Sequence, residues 1–335
     1  MPRLLHGAAG LPCAHAAATI WHRVNALPGT VMIRFLLFAF ALGACACASV
    51  SAADMPAAVF RDPAPEKQTP ASAQALQIPS HGGLMNALVY LPGGAGPHPV
   101  VVLLHGFPGN EQNLDLAQAM RRAGWAVVTF HYRGSWGSSG TFSFDGVGED
   151  GAAVFDWLRD PATAKRLRID TQRIVVAGHS MGGYVAAQLC ATQPHLLGCV
   201  LIAPWDLSFD AASLAQASAA ERDRLVREDF NDIDGRIAGL TARQVVEILA
   251  TQGARWQLAK FATEMAKSPL LIMLAARDAD GCKALALLPA LKAAPAKSLH
   301  VETIDTDHGF NDHRIALEAS VLAWLAALPA PSKAQ

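Results

Sequence analysis

A serine in a glycine-rich turn is the residue of this sequence best suited to nucleophilic chemistry. The turn GHSMGG, residues 178–183, lies between an apolar run typical of a buried strand, RIVVAGHS, and a run with helical spacing, GGYVAAQLCATQ. Glycines allow the sharp turn that lifts a central serine out of a sheet, the arrangement called a nucleophile elbow. The pattern predicts that Ser180 is a nucleophile.

A serine hydroxyl reacts only when a base accepts its proton, and the sequence offers two histidines for that task. His308, in DTDHGF, directly follows the predicted strand SLHVETID. His313 lies where the last predicted helix should begin. His308 is therefore the preferred base.

The base in turn needs a carboxylate that holds its ring in one tautomer. Asp278 and Asp280 both follow the predicted strand LLIMLA, and Asp278 is favoured because it is closer to the strand, where the backbone is better fixed. Asp305 and Asp307 are nearer to His308 in sequence, but adjacent carboxylates there also fit a solvated loop.

Main-chain amides are the expected stabilisers of the oxyanion that forms when a serine attacks a carbonyl carbon. The amide of Met181 directly follows the candidate nucleophile. The loop HGFPG, residues 105–109, follows an apolar run, and the amide of Phe107 is the expected second donor. The chemistry predicted by these residues together is acyl transfer.

A metal site is the competing interpretation of one crowded stretch. Its potential ligands are Asp305, Asp307, His308, Asp312 and His313. A cation there would leave the serine turn and the HGFPG loop without a role. We therefore predict no metal at this stretch.

Alternating strand and helix patterns must position these residues. Predicted strands cover residues 84–92, 100–106, 125–134, 173–180, 198–205, 270–275 and 298–305; predicted helices cover 113–124, 149–160, 182–193, 282–293 and 314–328. This alternation predicts a parallel sheet with helices on both faces. Ser180, Asp278 and His308 would lie beyond the carboxyl ends of strands, where such sheets bind ligands.

Residues 208–266 interrupt the alternation with a helical insertion that has no convincing strand. The position of the insertion fits a lid over the site. Trp205, Phe209 and Trp256, together with Phe230, are candidates to line an apolar substrate pocket. These aromatic side chains could equally attach the insertion to the core.

The N-terminal region has the layout of a secretory signal peptide that begins at Met32. Arg34 precedes an apolar run at 35–44, and Val50-Ser51-Ala52 is the expected cleavage site. Two alternatives remain: Cys45 in LGAC as a lipid anchor, and a retained membrane anchor. Each of the three places the domain outside the cytoplasm, in the periplasm or secreted.

The predicted domain layout follows from these segments. Residues 1–53 are an upstream extension and signal peptide, 54–75 a Pro- and Ala-rich linker, 76–328 the catalytic domain with its lid at about 208–266, and 329–335 a tail.

Composition restricts the partners and leaves one cysteine pair open. A formal net charge of -1 argues against nucleic acid, whose phosphates require a basic surface. Cys190 and Cys199 flank a short connection and could form a disulfide in an oxidising compartment. We prefer two buried free thiols, because cysteine often behaves as a small apolar residue.

The order of HGFPG, GHSMGG, RDADG and DHGF over residues 76–328 resembles the α/β-hydrolase superfamily. HYRGSWGSSGTFS and EDGAAVFDWL are similar to its dienelactone-hydrolase and prolyl-oligopeptidase-like branch, although Ser180 departs from the cysteine nucleophile of the dienelactone enzymes. The resemblance implies an eight-stranded, mostly parallel sheet, no cofactor, and the functional order Ser180, Asp278, His308.

The expected function is hydrolysis of a carboxylic ester through an acyl-enzyme, with a small-molecule ester as substrate. Cleavage of short peptides by the same three residues is the alternative. Acyl transfer to an alcohol would require a site that excludes water. A non-catalytic binding protein on this fold would have a broken triad, and all three positions are filled here.

Overall fold

Eight strands form one sheet, and the other elements pack against it. The computed structural model describes residues 55–233, 235–278, 284, 287–294 and 298–329, all within one compact unit, Ala53–Gln335. The strands are β1 (Ser72–Ser80), β2 (Gly83–Leu91), β3 (His98–Leu104), β4 (Ala126–Phe130), β5 (Ile169–His179), β6 (Gly198–Ile202), β7 (Pro269–Ala275) and β8 (Ser298–Ile304).

The strand order across the sheet is β1-β2-β4-β3-β5-β6-β7-β8. The β1–β2 and β2–β4 pairs are antiparallel, and every other neighbouring pair is parallel. The predicted fold class, an eight-stranded, mostly parallel sheet flanked by helices, is confirmed.

The described helices connect the strands and cover the sheet. They are α1 (Leu114–Arg122), α2 (Gly146–Arg159), α3 (Pro161–Leu167), α4 (Met181–Thr192), α5 (Leu207–Gln216), α6 (Ala219–Glu228), α7 (Ala242–Gln252), α8 (Ala262–Met265), α9 (Leu287–Ala293) and α10 (Arg314–Ala327). Short 3₁₀ helices lie at Ala57–Val59, Gly253–Arg255 and Leu258–Phe261. Within the described residues, no helix is long and apolar enough to cross a membrane.

The central strands are buried on both faces, which is why they appear in the sequence as continuous apolar runs. Successive side chains of a strand point to opposite faces. In β3, Val100 and Val102 belong to the core on one face of the sheet, and Val101 and Leu103 belong to the core on the other. The sheet is thus packed on both faces. The carboxyl ends of its parallel strands lie along one edge.

The insertion between β6 and β7 is helical, as predicted. It contains α5 to α8, and its described residues hold no strand. An isolated β-bridge between Ile237 and Ser135 joins it to the loop that follows β4. The insertion therefore leaves the sheet and returns to it without changing the order of the strands.

The first strand begins earlier than the sequence pattern indicated. Ser72–Ser80 pairs along its whole length with β2, so the segment 54–75, predicted to be a linker, already contains the start of the sheet. The preceding residues also contact the domain, because Arg122 Nε donates to the carbonyl of Ala58 at 2.6 Å. The small and polar residues of β1 concealed its strand character.

A second difference concerns Pro161, which directly follows the predicted helix 149–160. It does follow α2, but it also occupies the first turn of α3. Proline fits the first turn because its missing N–H needs no partner there. The Asp160 side chain caps α3 by accepting from the Thr163 amide at 2.8 Å.

Cys190 and Cys199 form a disulfide that joins the last turn of α4 to β6, with 6.1 Å between their Cα atoms. Our preference for two free thiols was wrong. Both side chains are buried, as expected for apolar cysteines, but the turn after α4 also brings them within bonding range. The predictions for Cys45, the signal peptide at 1–53 and most of the 329–335 tail lie outside the described residues.

Candidate active site

Ser180 lies in the turn between β5 and α4 with a left-handed backbone, φ 57° and ψ -122°. A non-glycine residue in this region is strained and must be held by its surroundings. Main-chain hydrogen bonds hold it: the Ser180 amide donates to the Ile202 carbonyl at 3.0 Å, and the Ser180 carbonyl accepts from the amides of Gly183, Tyr184 and Trp205. The geometry is that of a nucleophile elbow.

Glycines at 178 and 182 are required by close backbone approach. A Cβ at Gly178 would overlap the Gly182 carbonyl, and one at Gly182 would overlap the Leu104 carbonyl. Strand, turn and helix thus pack with no room for side chains around Ser180. This explains the spacing of the glycines in the GHSMGG turn.

His308 and Asp278 meet beside this turn. His308 Nδ1 lies 2.6 Å from Asp278 Oδ2, and the Asp278 side chain is only 5% exposed. A carboxylate accepts, so Nδ1 carries the proton and Nε2 is left with its lone pair. His308 and Ser180 line the same cleft. The structure therefore brings together the three residues predicted from sequence.

The competing residues are placed differently. His313 lies at the start of α10 with its Nδ1 3.1 Å from Asp312, outside the cleft lining. Asp305 pairs with Arg277, and Asp307 bonds Asn311. Asp280 lies outside the described residues. The described residues contain no group of three or more potential metal ligands.

His179, for which the sequence indicated no role, holds the loop of the candidate base. Its Nε2 lies 2.8 Å from the His308 carbonyl and donates to it, and the two rings are 4.7 Å apart. Burial, followed by the nearby His308, lowers the pKa of His179 to about 3. A neutral His179 therefore fixes the His308 main chain without competing for its proton. The sequence feature that could have indicated this role of His179 is its position immediately before Ser180.

The predicted amide donors flank Ser180. Met181 is the first residue of α4, where helix N–H groups lack partners within the helix. On the other side, a Cβ at Gly106 would lie 2.9 Å from Ser180 Cβ, so the HGFPG loop touches the serine. Phe107 follows Gly106 and lines the cleft. Both predicted donors thus belong to segments that adjoin Ser180.

The cleft has a volume of about 920 Å³ and lies beneath the insertion. Ser180, His308 and Phe107 line it together with apolar and charged side chains. The apolar ones are Trp205, Leu214, Leu225, Phe230 and Leu249. The charged ones are Asp210, Glu221, Arg224 and Asp229. The charged lining residues were not predictable from the sequence, because their approach to the cleft depends on how α5 and α6 fold over the sheet.

The predicted aromatic pocket residues divide into two groups. Trp205 lines the cleft, and its Nε1 donates to Asp210 at 2.5 Å. Phe209 and Trp256 do not line it, so that part of the prediction was wrong. Phe209 is 53% exposed, whereas Trp256 is buried and donates from Nε1 to Asp145 at 2.8 Å. Trp256 attaches the insertion to the core, the alternative considered above.

An ion pair between the partly exposed Arg133 and the buried Asp150 supports the loop after β4. Arg133 Nε lies 2.5 Å from Asp150 Oδ1, and the Arg133 amide donates to Oδ2 of the same carboxylate at 2.9 Å. The Ser80 hydroxyl donates to Asp150 at 2.7 Å. The loop that begins at Arg133 is therefore tied to both α2 and β1.

Comparison with known proteins agrees with this architecture. Residues 99–245 match a family model described as alpha/beta hydrolase fold. Lysophosphatidylserine lipase ABHD12 from Bos taurus is 36% identical over 96 residues, which are 28% of this chain and only 22% of the bovine protein.

Two solved structures are similar to this chain in fold at low sequence identity. The Pyrococcus furiosus esterase Pf2001 has a TM-score of 0.58 and 16% identity, with coverage of 77% of this chain and 92% of the esterase. The Pyrococcus horikoshii acylaminoacyl peptidase has a TM-score of 0.55 and 17% identity, with coverage of 80% and 43%. With its eight-stranded, mostly parallel sheet, its serine elbow and the matching family model over residues 99–245, the chain has the α/β-hydrolase fold.

Proposed function

We propose that this protein is a serine hydrolase that cleaves carboxylic esters. The observation that carries the proposal is the 2.6 Å hydrogen bond from His308 to the buried Asp278, with His308 lining the same cleft as the strained Ser180. A nucleophile, a base and an orienting carboxylate in this relation are the parts of a catalytic triad.

In the first half-reaction, His308 Nε2 accepts the proton of Ser180 Oγ as the oxygen attacks the ester carbonyl carbon. The amides of Phe107 and Met181 donate to the resulting oxyanion. The tetrahedral intermediate then collapses, the C–O bond to the alcohol breaks, and His308 gives its proton to the departing alkoxide. Ser180 is left acylated.

In the second half-reaction, His308 deprotonates a water molecule that attacks the acyl-enzyme. The same amides hold the second oxyanion, and collapse releases a carboxylic acid as His308 returns the proton to Ser180. Asp278 stays ionised throughout and stabilises the imidazolium that forms twice in each cycle.

The cleft supports a small molecule as the substrate. Its volume of about 920 Å³ is within the range of small-ligand sites, roughly 300–1,000 Å³. Phe107, Trp205 and Phe230 offer apolar surface near Ser180 for an acyl group. Short peptides also fit this volume, so a peptidase or amidase with the same triad is the alternative.

Labelling with a fluorophosphonate probe tests the nucleophile. Wild-type protein should be labelled, and Ser180→Ala should not be, because the probe phosphonylates an activated serine hydroxyl. Ser320→Ala is the matched control: this serine bonds Glu302 on the outer strand β8 and should leave labelling unchanged. A folded wild type that resists the probe would refute the proposal.

A substrate panel separates esterase from peptidase. Turnover of p-nitrophenyl esters of graded chain length, with no cleavage of aminoacyl anilides, is the result expected of an esterase. Cleavage of the anilides at comparable rates would assign the protein to the peptidases. Ser180→Ala should lose about 10⁶ in turnover in either case.

We also propose that the protein acts outside the cytoplasm. The Cys190–Cys199 disulfide supports this location, because disulfides persist in oxidising compartments. N-terminal sequencing of the mature protein tests it. A chain that begins just after Ala52 indicates signal-peptide cleavage, a lipid-modified Cys45 indicates an anchor, and an intact N-terminus in the cytoplasmic fraction contradicts the proposal.

A further inference from the structure

The loop that carries the Phe107 amide is held by side chains rather than by a strand or helix. Three of its carbonyls accept hydrogen bonds: His105 from the Tyr132 hydroxyl at 3.2 Å, Gly106 from His105 Nδ1 at 2.7 Å, and Pro108 from Trp136 Nε1 at 2.7 Å. The direction in which this loop presents its amides therefore depends on the orientation of these rings.

The bond to Gly106 bears directly on the proposed oxyanion donor. The Gly106 carbonyl and the Phe107 N–H belong to one peptide unit, and this unit is not among the cis bonds of the chain. In a planar trans peptide the C=O and the N–H point in opposite directions. Holding the carbonyl toward the His105 ring therefore fixes the opposite direction of the Phe107 N–H, beside Ser180.

This arrangement requires one tautomer of His105. Its Nδ1 must carry a proton to donate to the Gly106 carbonyl. Burial, then the neighbouring His131, lowers the pKa of His105 to about 3, so the ring is neutral at ordinary pH and its Nε2 has no proton. A buried Nε2 of this kind needs a donor to keep the tautomer.

His131 supplies that donor. Its Nδ1 lies 3.2 Å from His105 Nε2, and since Nε2 is the acceptor, His131 Nδ1 carries the proton. His131 in turn stacks on Trp136, with ring centroids 5.9 Å apart, and Trp136 is the residue that holds the Pro108 carbonyl. One pair of stacked rings thus acts on two carbonyls of the loop.

We propose that His131 is a positioning residue that orients the oxyanion-hole loop through His105. The role rests on the proposed function, because it concerns a donor for that reaction. His131 follows β4 and His105 follows β3, and these strands are parallel neighbours. Without the His131 donor, His105 can move its proton to Nε2, and the Gly106 carbonyl then loses its partner.

The kinetic test compares His131→Leu with His131→Asn. Leucine removes the donor, so kcat should fall about 10- to 100-fold while KM stays within about threefold. This loss in kcat is smaller than the roughly 10²–10³-fold loss caused by removing an oxyanion donor itself, because the Phe107 amide remains present. Asparagine offers an amide N–H near the position of Nδ1 and should recover most of the loss. The same substitutions at the exposed His300 of β8 are the control and should be neutral.

A spectroscopic readout stands apart from activity. In ¹⁵N-labelled wild type, ring nitrogen shifts at neutral pH should show both His105 and His131 protonated on Nδ1. In His131→Leu, His105 should shift toward the Nε2-protonated form. A wild-type His131 protonated on Nε2 would overturn the proposal at once.

The outcomes separate the two proposals. If wild type is active and His131→Leu turns over at the wild-type rate, the positioning role is refuted and the proposed function stands. If wild type neither reacts with the probe nor cleaves any substrate, the proposed function fails and the positioning role fails with it. A slow leucine variant that asparagine does not rescue would mean a packing effect and would also refute the role.

Discussion

Individual hydrogen bonds assign different tasks to three histidines near Ser180. His308 bonds the carboxylate of Asp278, so its ring can become charged during a reaction. His105 and His179 each bond a main-chain carbonyl, and burial lowers the pKa of both rings to about 3. Only the ring next to the carboxylate is suited to exchange protons; the other two hold loops in place.

Replacing the carboxylate tests this division of tasks. In Asp278→Asn the side chain can present an N–H to His308 Nδ1, which favours the wrong tautomer, and kcat should fall by about 10⁴. Steady-state kinetics on the best ester of the panel measure the change. Asp307→Asn is the matched control, because Asp307 bonds Asn311 in an exposed turn, and it should retain wild-type rates.

The competing assignment of the acid is decided by the same assay. If Asp278→Asn keeps its rate and Asp280→Asn loses it, the acid is Asp280 and the contact between His308 and Asp278 has another purpose. Probe labelling should follow kcat in both variants, because it depends on the same activated hydroxyl.

At the scale of elements, α4 is fixed at both ends. Its first turn packs closely on the segment after β6, where a Cβ at Gly183 would lie 2.8 Å from Pro204. Its last turn is bonded to β6 by the Cys190–Cys199 disulfide. The helix behind the nucleophile therefore has little freedom to shift along the sheet.

Removing the disulfide should cost stability more than activity. Closing a loop of this size stabilises a fold by roughly 2–3 kcal/mol, so Cys190→Ala/Cys199→Ala should have a free energy of unfolding lower by about that amount. Urea unfolding with and without dithiothreitol measures it: the wild type should respond to the reductant and the double variant should not. A double variant as stable as oxidised wild type would contradict this prediction.

Elements with continuous apolar runs were predictable, and those defined by distant contacts were not. VVVLLHG and LLIMLA are unambiguous because both faces of β3 and β7 are buried. The strand β1 was missed because SAQALQIPS has only two large apolar residues, Leu76 and Ile78, and is recognisable only when paired with β2.

The site residues that directly follow strands were predictable from the sequence, whereas the pairings between distant segments were not. Ser180, Asp278 and His308 each follow a strand, so a parallel sheet must bring them to one edge. The pairing of Cys190 with Cys199 depends on the path of the chain after α4, and the pairing of His105 with His131 depends on which strands are neighbours. Local residue patterns predict neither the order of the strands in the sheet nor the path of the loops.

At the scale of the whole molecule, burial of neutral histidines makes stability depend on pH. His105 and His179 have pKa values of about 3 in the folded protein, against about 6.5 in an unfolded chain. Their contribution to stability is complete above pH 6.5. As the pH falls from 6.5 toward 3, the unfolded chain binds protons that the folded protein does not, and stability is lost.

Unfolding measured across pH tests this linkage. By pH 5, each of the two histidines should reduce the free energy of unfolding by about 2 kcal/mol relative to pH 7.5. Urea unfolding of wild type and His179→Gln at pH 7.5, 6.0 and 5.0 isolates one contribution, because other titrating groups are common to both proteins. The variant should lose less stability on acidification, and equal losses would show that His179 is not buried in its neutral form.

The insertion between β6 and β7 allows the lining of the cleft to change during evolution independently of the reactive residues. Ser180, Asp278 and His308 all lie outside it, whereas α5 and α6 contribute most of the charged and aliphatic lining of the cleft. One continuous segment can therefore be replaced, lengthened or recombined while the reactive residues keep their places on the sheet. Proteins of this architecture can acquire new substrates by exchanging the insertion while the reactive residues stay unchanged.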